Sequence, residues 1–288
     1  MNIKGVKSLI LARAPLAVFA VPSIIIKAPF ELTTAGLGDT IAKPISTTDW
    51  IFNSLFCAES FCSYCSEIIN SLEPYYLDRP DDINKRRPAA IDALFNALLY
   101  SGIAMTITGT SAPASGGEHL FSHTLEMMSS IDGVEHDLHG RQVGLGTIFA
   151  SALYEHILKM EKPVCYPYPV DIDGKFWGPL AGNVRQEYEQ KLPILRKICE
   201  TLADGKTWAE FLAAARQQVR PPAQIKNCLK TAGAAHTFAD IGCSDKRLLA
   251  AVLHMHQIRR RPTVIDLAWI LGIMPAAAEK IIDRWLTD

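Results

Sequence analysis

The chain has 288 residues, 49% of them hydrophobic, with 29 Lys and Arg against 30 Asp and Glu. That length and apolar content suffice for one large core or two small ones. The near-zero net charge excludes a basic surface made for nucleic acid and an acidic solvating tail, and the short runs 85–87 and 259–261 read as solvated helix ends or loops.

In chain order, residues 8–26 are strongly apolar and follow Lys4 and Lys7. A signal peptide is weighed and set aside, because Arg13, Pro15 and Pro22 interrupt the run and no clear small-x-small site follows. The same prolines argue against a spanning helix. The β-branched stretch from Val18 to Ile26 is expected to form a buried strand or extended crossing segment. Residues 47–70 place Trp50, Leu55, Phe56, Tyr64, Ile68 and Ile69 on one helical face, and 77–87 is a polar loop. Pro88 suits the first turn of a helix over 88–107, which is apolar all round and is expected to be the buried central helix.

The small, Gly/Ser/Pro-rich stretch 108–117 predicts a tight loop. Ser115-Gly-Gly-Glu118 matches a capping box that opens a helix over 116–129, and Thr207-Trp-Ala-Glu210 matches another. Helices are expected near 138–161, 185–203, 208–219, 222–232, 245–260, 263–271 and 276–286, with a loop over 163–179. Seven scattered cysteines in a chain this long are expected to be reduced thiols of a cytoplasmic protein. Cys62-Ser-Tyr-Cys65 lies in an apolar helical run without a second pair at zinc-finger spacing, so helix packing is the expected role. The fold class is all-α, with 1–35 as an extended N-terminal segment and 36–288 as a helical domain.

Three sites carry the chemistry. Gly36-Leu37-Gly38-Asp39 ends two glycines in a carboxylate, read as a helix start. His119 and His123 stand one helical turn apart on one face. His136-Asp137-Leu138-His139 precedes another helix. Imidazoles and a carboxylate are what a divalent transition metal requires, and ligands from separate helices would pin a bundle together. By itself a His pair at this spacing is more often a packed or surface pair, Gly-x-Gly-Asp is also plain turn chemistry, and spacing does not bring Asp39 to the histidines.

The string from Gly109 through Ser111-Ala112-Pro113, Ser115, Gly116 and Glu118-His119 to His123 resembles the signature loop and helix of the sn-glycerol-1-phosphate dehydrogenases. That family belongs to the iron-containing alcohol dehydrogenase and dehydroquinate synthase superfamily. Ala35-Gly-Leu-Gly-Asp39, Thr48-Asp49-Trp50, His139-Gly-Arg-Gln-Val-Gly144 and the run from Arg259 through Thr263 to Asp266-Leu267 extend the resemblance in the family's order. It implies the helical C-terminal domain of the dehydroquinate synthase/glycerol dehydrogenase fold. It also implies a metal (zinc first, nickel or iron as alternatives) on Asp39, His119 and His139, with His123 beside it as proton donor. Ser111, Ser115 and Gly116 would contact substrate, in the family dihydroxyacetone phosphate reduced with NADH or NADPH.

The sequence departs from this pattern in three places. About 35 residues precede Asp39, with neither the glycine-rich turn nor the room for a Rossmann-like domain, and a family Asp falls on Val21. NAD(P) is therefore expected only where a separate nucleotide-binding chain supplies the site. Ala112 stands where the family has Arg, and Arg141 where it has Glu. The free amides at Ser115-Gly116-Gly117 are expected to offer an anion site at the helix start. Three readings follow: a dehydrogenase on a small polyol or keto phosphate, a nicotinamide-independent metal-dependent lyase, aldolase, isomerase or cyclase, and a non-catalytic interaction domain such as a dimerising remnant. No membrane or nucleic-acid partner is expected.

Overall fold

The computed structural model describes residues 13–288 and the backbone of 2–3 and 6–7. The latter form an antiparallel pair, β1 (Asn2–Ile3) with β2 (Val6–Lys7). Residues 8–12 of the apolar N-terminal run lie outside the described residues. Residues 13–21 have no regular structure, and Leu16, Val18 and Phe19 are exposed. A single exposed turn, α1 (Pro22–Ile25), follows. Of the buried strand or extended crossing segment expected over Val18 to Ile26, no buried strand is formed: 18–21 is irregular and exposed, and 22–25 is helical. Pro15 and Pro22 carry no N–H for a ladder, and no strand lies alongside among the described residues.

The helical body begins at α2 (Phe30–Thr40), so the boundary expected at residue 36 falls inside a helix. Next come α3 (Lys43–Phe56) and α4 (Ser63–Asn70). The one helix expected over 47–70 is thus two, separated by an irregular segment in which Ala58 takes a positive φ of 54°. Prolines start two short helices, α5 (Glu73–Leu77) just before the expected 77–87 loop and α6 (Pro80–Asn84) within it. Pro88 opens α7 (Pro88–Thr108) as expected, and Gly109 ends it in the left-handed conformation.

After α7 come α8 (Gly117–Asp132), α9 (His139–Ile157) and the short α10 (Gly174–Trp177). The chain finishes with α11 (Ala181–Leu202), α12 (Gly205–Gln218), α13 (Pro222–Thr231), α14 (Asp245–His254), α15 (Val264–Ile270) and α16 (Ala278–Trp285). The all-α class holds.

The central helix is α9, not α7. Fifteen of the 19 residues of α9 are buried, and it packs against α2, α8, α13, α15 and α16. α7 lies at the periphery against α2, α4 and α5, with Ile103 and Ile107 41% and 54% exposed. Among the described residues α7 is long and apolar enough to cross a membrane by length and composition. Apolarity without periodicity shows that a helix tolerates burial; it does not choose which helix receives it.

Glycines explain why α9 can be the hub. A Cβ at Gly38 would lie 2.0 Å from the carbonyl oxygen of Gly140, and one at Gly140 would lie 1.9 Å from that of Ala35. A Cβ at Gly146 would lie 2.2 Å from the carbonyl oxygen of Glu118. The backbones of α2 and α8 therefore press directly on α9, which only a missing side chain permits.

Neither expected capping box forms. α8 starts at Gly117 behind Gly116, and the Ser115 hydroxyl instead meets the Arg259 guanidinium. Asp204 caps α12, accepting from the Lys206 amide, and the Thr207 hydroxyl donates to Asp204. A true box opens α15, where Thr263 and Asp266 bond reciprocally. Cys165 and Cys199 form a disulfide with Cα atoms 5.6 Å apart, which corrects the expectation of wholly reduced thiols; the five other cysteines are free.

Candidate metal centre

The close crossing of α2 and α9 decides the site. Asp39 lies in the last turn of α2 and His139 is the first residue of α9, so the Gly38–Gly140 contact sets them side by side. The two glycines before Asp39 thus lie within a helix, where they permit contact, and are not the helix start expected from the sequence. His119 and His123 project from the first turns of α8. Ligand atoms of Asp39, His119 and His139 all lie within 4.8 Å of one another. His119 Nε2 is 3.0 Å from Asp39 Oδ1. The rings of His123 and His139 stack with centroids 5.2 Å apart, and that of His119 is 5.3 Å from His139.

The second nitrogen of each of these two imidazoles is held. His119 Nδ1 pairs with Glu118 Oε1 at 2.7 Å. His139 Nδ1 meets Ser122 Oγ at 2.9 Å and Glu126 Oε1 at 3.1 Å. An acceptor on Nδ1 fixes the tautomer and turns Nε2 toward an ion. Glu126 also approaches His123 Nδ1, at 3.6 Å, and the Ser122 hydroxyl donates to Gln142. The centre grades from buried to open: the side chain of His119 is 8% exposed, Asp39 27% and His139 38%.

Charge follows this geometry. Burial alone would raise the Asp39 carboxyl, but Lys43, 3.5 Å away, and the hydrogen-bonded His119 hold it well below the usual carboxylate range. Glu126 is likewise penalised by burial yet held low by His123 and His139. For His119, burial opposes charge, and the bonds to Asp39 and Glu118 overcome it and raise the pKa. Asp49 goes the other way. Burial first and the Glu118 charge second push it up to about 7. It accepts from Tyr154, the Gly117 amide and the Val264 amide, and so ties α3, α8, α9 and α15 behind the site.

Two expectations for the helix start are corrected. The Gly116 amide donates to Glu118 Oε1 and the Gly117 amide to Asp49 Oδ2, so the protein's own carboxylates take the groups expected to receive an anion. Gly116 is itself buried, with no space for a Cβ beside Asp49 and Glu118. The loop before it has another donor. Arg259 reaches the Ser115 carbonyl and hydroxyl at 3.1 Å and the Ser111 hydroxyl at 3.3 Å. Burial and the neighbouring Arg261 push Arg259 down to about 10, which leaves it charged. Lys43 donates to the Ala114 carbonyl and Ser46 to that of Pro113, fastening the loop to α3. Arg141 turns away from the centre to Asp137 and the Asp240 carbonyl, so its charge does not face the ligands. His136 is exposed and bonds locally.

The sequence reading gave Lys43, Asp49, Glu126 and Arg259 no role at the site, although Asp49 and Arg259 stand in motifs that carry the resemblance. Lys43 is four residues after Asp39 and Glu126 three after His123, helical spacings that could have found them. Nothing local marks Asp49, whose partners are 68 to 215 residues away.

No family model matches the chain. Among curated proteins it is 37% identical over 269 residues to glycerol-1-phosphate dehydrogenase [NAD(P)+] of Methanococcoides burtonii, covering 93% of this chain and 55% of that protein. It is 34% identical over 203 residues to the enzyme of that name from Geobacillus stearothermophilus, covering 70% and 50% respectively. For the Bacillus licheniformis enzyme the identity is 28% over 278 residues, covering 96% and 59%. The chain thus spans little more than half the length of the relatives it matches. Over most of its own length, and about half of theirs, the chain is similar to glycerol-1-phosphate dehydrogenases.

Proposed function

We propose that this chain is the metal-binding part of a glycerol-1-phosphate dehydrogenase-like oxidoreductase, with Asp39, His119 and His139 as ligands of one divalent ion, zinc first. The observation that carries the reading is the convergence of those three donors within 4.8 Å. Two further features support it. Carboxylates already orient both imidazoles, and the orphan Glu118 Oε2 marks this buried corner as unusually polar. One carboxylate and two imidazoles, with a half-exposed side, suit an open catalytic site.

A metal held there supplies Lewis-acid polarisation of a carbonyl or hydroxyl oxygen. The protein's residues do the rest. His123, stacked on His139 and paired with Glu126, is placed to hand a proton to that oxygen. Arg259 with the Ser111 and Ser115 hydroxyls forms a cationic, hydroxyl-rich rim for the anionic end of a small keto phosphate. Lys43 keeps Asp39 ionised. The substrate in this reading is dihydroxyacetone phosphate, as the relatives' name implies, and nicotinamide is held by a nucleotide-binding unit outside the described residues, on this polypeptide or a second one. The setting in this reading is the cytoplasm.

Elemental analysis of the purified protein tests this directly. About one divalent ion per chain is expected, lost in Asp39→Asn and His119→Ala. Metal well below that ratio in the parent protein would defeat the proposal. Turnover of a carbonyl substrate by the metal-loaded chain without nicotinamide would redirect it to lyase, aldolase, isomerase or cyclase chemistry.

A further inference from the structure

α4 begins at a cysteine pair that the metal centre does not use. Cys62 is the N-cap residue, in extended conformation, and Cys65 lies in the first turn. Cys62 is half-buried and Cys65 is fully buried against Trp50, Ile69, Ala104 and Ala112. The Cys62 sulfur lies at the amide end of α4 without a formed cap hydrogen bond. The segment before the pair is pinned on three sides. The Trp50 indole donates to the Ser60 carbonyl, Phe61 packs on Trp50 at 4.6 Å, and Arg261 pairs with Glu59 at 2.8 Å. The pair is therefore preorganised, with one sulfur reachable and its partner sheltered behind it.

We propose that Cys62 and Cys65 form a dithiol–disulfide couple that exchanges with small-molecule disulfides of the glutathione type. Residues three apart at a helix start bring their Cα atoms within the about 4.4–6.8 Å that a disulfide spans. The Cys62 thiolate attacks one sulfur of the small disulfide, forming a mixed disulfide and releasing one thiolate. The Cys65 thiolate, its proton lost to solvent, then attacks the Cys62 sulfur, closing the intramolecular bond and releasing the second. The protein dithiol is oxidised by two electrons, and one disulfide becomes two thiols. The roles follow from the environment. The Cys65 amide and thiol beside it at the start of α4 favour the Cys62 thiolate. Burial pushes Cys57 and Cys228 up to about 12, so those thiols are poor attackers, and pushes Cys65 up to about 11, so Cys65 acts only second, on the adjacent Cys62 sulfur. Ala112 belongs to the loop carrying Ser111 and Ser115, so oxidation repacks the underside of the candidate substrate rim; that consequence rests on the function proposed above, and the exchange itself does not.

Peptide mapping after equilibration of the full chain in reduced-to-oxidised glutathione buffers provides the test. A Cys62–Cys65 cross-link is expected in oxidised buffer, reversed in reduced buffer. Iodoacetamide should label Cys62 in the native reduced chain about tenfold faster than Cys57. In Cys65→Ser, and in Cys65→Ala should the first variant misfold, Cys62 should accumulate as a mixed disulfide with glutathione. Absence of both the cross-link in the parent and the mixed disulfide in the variants would overturn the proposal. The readout needs neither metal nor substrate, so its failure leaves the metal reading standing, and loss of the metal reading leaves it intact.

Discussion

At the scale of single residues, the candidate metal centre depends on side chains outside the proposed ligand set. Glu126 accepts from His139 Nδ1 and approaches His123, so it holds two rings with one carboxylate. Glu126→Gln should keep the fold but weaken metal affinity by about 10–100-fold, read by competition with a chelating dye. His256 presents a different problem. It is 2% exposed, its ring nitrogens find no well-formed hydrogen bond among the described residues, and burial first, then Lys191 and His254, drive its pKa well below 6.5. The folded state keeps this ring neutral, whereas the unfolded chain protonates it near about 6.5. Below that pH the unfolded state binds more protons, so stability falls as pH drops, by up to about 1.4 kcal/mol per pH unit. Urea unfolding at about pH 7.5 and about pH 5.5 should show this fall, and His256→Leu should make it shallower. An unchanged slope in the variant would assign the acid sensitivity elsewhere.

At the scale of elements, glycine has opposite meanings on two helices. A Cβ at Gly38 or Gly140 enters a backbone carbonyl about which nothing can rotate away. Gly38→Ala should therefore cost about 1–3 kcal/mol or more, and it should also lower metal content by parting Asp39 from His139. Gly102, within α7, has nothing within 4 Å of its missing Cβ. Gly102→Ala should stabilise by up to about 1 kcal/mol through helix propensity alone. Thermal melts and metal analysis of the two variants side by side separate packing from propensity. Losses of similar size in both would refute the contact argument.

At the scale of the whole molecule, one buried ion pair links the C-terminal helices to the rest. Lys191 on α11 is fully buried, bonded to Asp266 of α15 at 2.8 Å and to the His256 carbonyl. Burial lowers its pKa while Asp266 opposes the shift. Lys191→Met leaves Asp266 buried without its cation and should cost about 3–5 kcal/mol. The denaturation midpoint should fall with the slope preserved, since the exposed surface barely changes. Asp266 also closes the Thr263 capping box, and Arg259 lies just before it, so the same region supports both the α15 start and the candidate anion rim.

Much of this was legible in one dimension. Helical periodicity located the long helices to within a few residues, because an amphipathic stripe is a local property of the chain. The pairing of His119 with His123 on one face followed from 3.6 residues per turn. The nearness of Asp39 and His139 to His119 was implied by resemblance alone, since no local rule relates residues 80 positions apart. Tertiary contact decided the remainder. It chose α9 over the more apolar α7 as the hub, because glycines at 38, 140 and 146 let backbones touch there. It gave the helix-start amides to Asp49 and Glu118 and left Arg259 as the donor to the loop. Periodicity says which face of a helix is apolar, but which backbones meet, and which polar groups are satisfied from afar, is settled only when the helices pack.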